Sequence, residues 1–178
     1  MGLNQSWAAA GCALPIAVNL SALNLRDDNL LARVRQLLAA TEVAQGLFEM
    51  EITESTVMED AEFSMGVLHD LRKLGIPLYI DDFGTGYSSL SYLQKLPVEY
   101  IKIDQSFVRN MAVSKDSERI VRSTIDLVHD LGRKVVAEGI ETREIWDRLA
   151  HLGCDIAQGY FIARPMPAEE FQDWLKDY

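Results

Sequence analysis

The chain has 178 residues, 48% of them hydrophobic, with 17 basic against 27 acidic side chains and a formal net charge of −10. This length and apolar content suit one domain with a sizeable core, and the acidic excess argues against a groove that tracks DNA or RNA phosphates. A small anionic ligand held through metal ions stays compatible with it. Cys12 and Cys154 form no CxxC pattern and are too few for a disulfide framework, which points to a reduced, cytoplasmic setting. The sequence carries no long apolar run and no signal-peptide pattern, so no direct membrane contact is expected from this chain.

In chain order, short apolar segments alternate with longer helical patterns. A strand is expected at 15–21, a helix at 29–40, a strand at 47–53 and a long helix at 54–74. A strand at 76–82, a helix at 88–96, a strand at 100–104 and a helix at 118–131 follow, the last with a stripe of Ile120, Ile125, Leu127, Val128 and Leu131. Strands at 134–140 and 155–160 flank a helix at 142–152. Gly75, Gly132 and Gly153 each close a helix. Nothing in the sequence resembles a linker or a second domain.

Strand–helix repetition of this kind implies a parallel sheet covered by helices, as an open doubly wound sheet or as a barrel. The strand ends favour the barrel. Asn19, Glu51, Asp81 with Asp82, Lys102, Glu138 and Gln158 all stand at C-terminal ends of expected strands. In a (βα) barrel such ends converge on one face; in an open sheet they spread along a line.

Asn19, Glu51, Asp81, Asp82 and Glu138 are oxygen donors of the type that hard divalent cations require. His69, His129 and His151 all fall in helical patterns, against a zinc-type site. Consecutive strand residues face opposite ways, so Asp81 and Asp82 serve one cavity only if the strand ends there, and Gly84 and Gly86 are expected to supply the turn. A carboxylate pair of this kind can bridge two cations about 3.5–4 Å apart, an arrangement suited to in-line attack on a phosphodiester. Lys102, between Ile101 and Ile103, is expected to face the same cavity and to balance charge on phosphate. Each residue alone also has an ordinary structural role, as a turn, a cap or an exposed strand position. Their recurrence on six strand ends favours a shared site.

The motifs VNLSA (18–22), EITES (51–55), DDFGTGYSSL (81–90), IKID (101–104), AEGIET (137–142) and QGYFIARP (158–165) resemble the EAL-domain cyclic di-GMP phosphodiesterases of bacteria. The resemblance covers essentially all of the chain as a single domain. It implies a modified TIM barrel that hydrolyses cyclic di-GMP to linear pGpG with two Mg²⁺ or Mn²⁺ ions. Carried over by motif, Asn19, Glu51 and Asp81 resemble the ligands of one metal, and Asp81, Asp82 and Glu138 those of the second. Lys102 resembles the lysine that orients the nucleophilic water, and Gln158 the glutamine of the metal–water network. Glu54 resembles the glutamate that anchors the loop after Asp82, and Phe161 and Pro165 lie where the family approaches a guanine base. The segment 85–96 resembles the loop and helix through which these domains dimerise.

One family feature is absent. The Glu-Ala-Leu segment with its following arginine is not found before Asn19; the chain begins at Met1-Gly2-Leu3-Asn4-Gln5-Ser6-Trp7, which looks like the middle of a helix. The expectation is an N-terminally truncated, incomplete TIM-like barrel with about six of eight strands, lacking one glutamate ligand of the first metal. Reduced hydrolysis follows from that expectation. The alternative reading, a non-catalytic module that binds cyclic di-GMP or a protein partner, is disfavoured by the retained carboxylates. Two sheet edges, at 15–21 and 155–160, predict a homodimer or higher oligomer.

Overall fold

The computed structural model describes residues 14–41, 46–86 and 90–177; the expectations placed on the start of the chain, on Cys12 and on Tyr87 to Ser89 lie outside these residues. Six strands form one sheet: β1 (Ile16–Asn19), β2 (Phe48–Thr53), β3 (Leu78–Phe83), β4 (Tyr100–Ile103), β5 (Lys134–Ala137) and β6 (Ile156–Ala157). All neighbours are parallel, and the spatial order is the chain order, β1 to β6. A doubly wound sheet reverses its order at a switch point; this sheet does not. It curls as an incomplete barrel, and β1 and β6 are its outermost strands among the described residues.

The helices are α1 (Ala22–Leu25), α2 (Leu30–Thr41), α3 (Glu54–Glu59), α4 (Ala61–Lys73), α5 (Leu90–Lys95), α6 (Gln105–Asn110), α7 (Lys115–Asp130), α8 (Arg143–His151) and α9 (Ala168–Asp177). The single helix expected at 54–74 is two. Asp60 leaves helical geometry at φ −151 and ψ 81, and its side chain accepts the N–H of Phe63 to start α4. Aspartate competes with the backbone in this way, which makes it a cap more readily than a helix interior. α1, α6 and α9 were not expected. Asp104 caps α6 by accepting from Ser106 N–H, while α9 stacks Phe171 on Trp174 at 5.6 Å between ring centroids.

The sheet has two unlike faces. Met50, Ile52, Leu78, Ile80, Ile101, Ile103, Val135 and Ala137 are buried in one core with Leu68 and Leu71 of α4 and with Val121, Ile125 and Val128 of α7. Each of these side chains larger than Ala137 contributes about 1.5–3 kcal/mol relative to exposure. The expected stripe of α7 holds at Ile125 and Val128, which are buried, but its first member differs: Val121 is buried, whereas Ile120 is 42% exposed. Residues 121, 125 and 128 fall on one face at helical spacing, and 120 falls beside it.

The opposite, concave face carries the alternate strand positions. There Tyr79 stacks on Tyr100 with centroids 4.2 Å apart and planes 8° from parallel. Lys134 Nζ lies 5.9 Å above the Tyr100 ring. Burial and the neighbouring Glu49 push the Tyr79 hydroxyl above the ordinary tyrosine range.

Candidate functional site

The acidic rim is built by a miscount in one ladder. Ile80 pairs with Ile101 and Phe83 with Ile103, so Asp81 and Asp82 together stand opposite the single residue Lys102. An extra residue of this kind is a β-bulge, which bends the strand and re-aims side chains. Asp82 absorbs the bend itself, with φ 56, a left-handed conformation that aspartate tolerates better than most residues. The turn expected from Gly84 and Gly86 therefore begins earlier than those glycines. The bulge is held locally: Asp82 N–H donates to Asp81 Oδ1 at 2.9 Å, and Thr85 donates its hydroxyl to the Asp82 carbonyl at 2.8 Å.

Lys102 is the hub. Its residue is only 4% exposed, and its Nζ lies 2.6 Å from Glu138 Oε1, 2.8 Å from Glu51 Oε2 and 3.3 Å from Asp81 Oδ1. Strands β2, β3 and β4 and the residue after β5 thus converge on one ammonium. Burial alone would lower its pKa, but the hydrogen bonds to Glu138 and Glu51 and the charge of Asp81 outweigh this and hold it above the ordinary lysine range.

One ammonium does not offset four carboxylates. Burial raises the Glu138 carboxyl, with Asp81 and Glu51 adding to the rise against the pull of Lys102. Burial likewise raises Asp82, followed by the charges of Asp81 and Asp104. Carboxylate oxygens of Asp81, Asp82 and Glu138 lie within 4.8 Å of one another. A hard divalent cation takes such all-oxygen sets, and its charge would relieve the crowding that raises both carboxyls. The donor set fits.

A second carboxylate shapes the loop beyond the bulge. Glu54, the first residue of α3, is 3% exposed and accepts the N–H of Gly84 at 2.9 Å through Oε2. Its Oε1 is buried without a hydrogen-bond partner among the described residues. Gly86 packs against that oxygen so closely that an added Cβ would stand 2.8 Å from it.

The remaining candidates are placed less tightly. Asn19 ends β1 in register with Glu51, on the same face of the sheet, and is exposed. Gln158 follows β6, its N–H donating to Ala137 O at 2.9 Å and its carbonyl accepting from Ile140 at 3.1 Å, which sets it beside Glu138. Phe161 packs at 6.0 Å against Trp146 of α8, and Pro165 is exposed farther along the same segment. Asp104 was not among the sequence candidates, yet its charge reaches Asp82; its place two residues after Lys102, at the end of the IKID run, was the available signal.

The EAL domain family profile matches residues 3–165. The chain belongs to the EAL domain family. It is 41% identical over 170 residues to the cyclic di-GMP phosphodiesterase PA2567 of Pseudomonas aeruginosa, covering 96% of this chain and 29% of that protein. Among solved structures, the PaMucR phosphodiesterase in complex with c-di-GMP superposes with a TM-score of 0.90 and 41% identity, over 95% of this chain and 69% of that one. The EAL domain of Mycobacterium smegmatis DcpA gives a TM-score of 0.91 with 36% identity, over 98% and 79% respectively. This EAL chain therefore spans less than a third of PA2567. Among the described residues, no helix is long and apolar enough to cross a membrane.

Proposed function

We propose that this EAL domain hydrolyses cyclic di-GMP to linear pGpG with two divalent cations, Mg²⁺ or Mn²⁺. The observation that carries the reading is the bulge that sets Asp81 and Asp82 opposite Lys102, with Glu51 and Glu138 on the same ammonium. Asn19, Glu51 and Asp81 would hold one cation, and Asp81, Asp82 and Glu138 the other. Bound there, the ions supply Lewis acidity toward a phosphodiester and toward water.

The protein's own groups supply the rest. Lys102 stays protonated through neutral pH, so it acts as a fixed cation and hydrogen-bond donor for a water or a phosphoryl oxygen. Glu54 holds Gly84 and so fixes the loop after Asp82. Gln158 stands next to the Glu138 strand end and supports water there, while Phe161 and Pro165 lie toward a guanine base. In the reaction an O–P bond to water forms, one bridging O–P bond breaks, and the proton from water ends on the released alkoxide. The domain pairs as a homodimer or higher oligomer in which α5 takes part, a state measurable by light scattering.

Incubation of the chain with cyclic di-GMP and Mn²⁺, followed by chromatography, tests the assignment. Formation of pGpG that is lost with EDTA and in Asp82→Asn is expected. Nucleotide binding that ignores metal, without pGpG, overturns it in favour of the non-catalytic module.

A further inference from the structure

Away from the carboxylates, at the N-terminal ends of β3, β4 and β5, lies an open cavity of about 520 Å³ lined by His69, Arg72, Lys95, Arg133 and Lys134, with Glu99 as its only acidic lining residue. Its volume is in the range of small-molecule sites, about 300–1,000 Å³. Such a concentration of cations runs against the chain's formal charge of −10. Glu99 is already engaged: its Oε1 pairs with Arg72 Nε at 2.9 Å, and its Oε2 accepts from Leu78 N–H at 3.0 Å. Among the described residues, Lys95, Arg133 and Lys134 make no ion pair.

Arg133 is built into the wall. Its Nη2 donates to Leu96 O at 2.7 Å and to Gln94 O at 3.2 Å, which fixes the guanidinium at the foot of β4. Its Nη1 is buried and has no hydrogen-bond partner among the described residues. Burial and the nearby Arg72 charge hold the Arg133 pKa below the usual arginine range, so the like charges stand at a cost that an anion would relieve.

We propose that this cavity is a second ligand site, one that takes a small molecule carrying two or more phosphoryl groups. Arg72, Lys95 and Lys134 contact the phosphoryl oxygens, and Arg133 supplies a fixed positive wall behind them. Guanidinium and ammonium groups together make charge-assisted bonds to phosphate that a neutral ligand cannot exploit. The inference stands independently of the reading of the acidic rim, because no residue is shared.

Calorimetric titration of the full chain with tripolyphosphate, pyrophosphate and inorganic phosphate, in EDTA, tests it. One saturable site is expected, tightest for tripolyphosphate and weakened about tenfold or more in Lys95→Gln/Lys134→Gln. The charge-matched pair Lys115→Gln/Arg119→Gln, on α7, is expected to bind as the parent does. Tripolyphosphate should also shield Lys95 and Lys134 of the unsubstituted chain from acetylation, read by mass spectrometry. No saturable binding, equal loss in both double variants, or unshielded lysines would each overturn the proposal.

Discussion

The Glu54 carboxylate accepts the Gly84 backbone N–H at 2.9 Å across thirty residues of chain, joining the start of α3 to the loop beyond Asp81 and Asp82. A group on one strand end thus fixes a loop on the next. Replacing Glu54 with Ala leaves that N–H unpaired and should lower stability by about 1–3 kcal/mol; Glu54→Gln, which keeps an acceptor oxygen, should lose less. Gly86→Ala puts a Cβ 2.8 Å from Glu54 Oε1 and should displace the loop. Urea unfolding of the three variants checks the order, and equal losses for Glu54→Gln and Glu54→Ala would refute the hydrogen-bond account.

Lys102 sits 2.6–3.3 Å from three carboxylates, so its removal exposes their mutual repulsion. Without metal at neutral pH, Lys102→Met should cost about 3–5 kcal/mol, as for other buried charges left without a partner. Unfolding at pH 7 in EDTA measures this. A loss below about 1 kcal/mol would mean that the three acids are solvated well enough to need no cation.

A divalent cation that binds the folded acidic rim and not the unfolded chain must raise the melting temperature. At a hundredfold excess over its dissociation constant the gain is about 2.7 kcal/mol. Mn²⁺ should produce this rise in the parent chain and a much smaller one in Asp81→Asn, whose carboxylate belongs to the Asp81, Asp82 and Glu138 cluster. Calorimetric scans with and without metal decide it, and an equal rise in both chains would remove Asp81 from the ligand set.

Far from the site, Asp155 Oδ2 accepts from Val135 N–H at 2.8 Å and lies 2.8 Å from His129 Nε2. Burial opposes ionisation there, but these hydrogen bonds and the His129 and Lys134 charges outweigh it and hold the carboxyl below its ordinary 3.8. The folded pKa is thus lower than the unfolded one. The stabilisation is complete above the ordinary value and disappears as pH falls through the lower folded value. Asp155→Asn should therefore be less stable than the parent at pH 6 by about 1 kcal/mol, with the difference shrinking below pH 4. A gap that persists at pH 2 would point to packing instead.

Strand-end chemistry was legible in the sequence because a carboxylate or lysine at the end of an apolar run violates the local pattern. Glu51, Asp81, Lys102 and Glu138 were visible in that way, and the sheet brings them onto one face. The sequential strand order was legible for the same reason, since only a curled sheet lets six such ends meet. The bulge was not. It depends on Asp82 adopting φ 56, which goes with the pairing of β3 to β4, a long-range partner that the DDFGTG string does not name. The break at Asp60 and the inward place of Val121 were missed differently: helical spacing tolerates both Ile120 and Val121 as the first inward residue of α7, and only packing on β4 and β5 chooses between them.

A regular ladder at β3 would have turned Asp81 and Asp82 to opposite sides of the sheet, one in the cavity and one among the apolar side chains beneath the helices. The inserted position spares the core that intrusion, since Phe83 regains the outward phase and is 9% exposed. Deleting Asp82 would therefore yield a straighter strand with its hydrophobic rhythm intact and one acid fewer. Charge density at the rim is set by strand arithmetic, and a single-codon deletion could halve the doublet while leaving the scaffold whole.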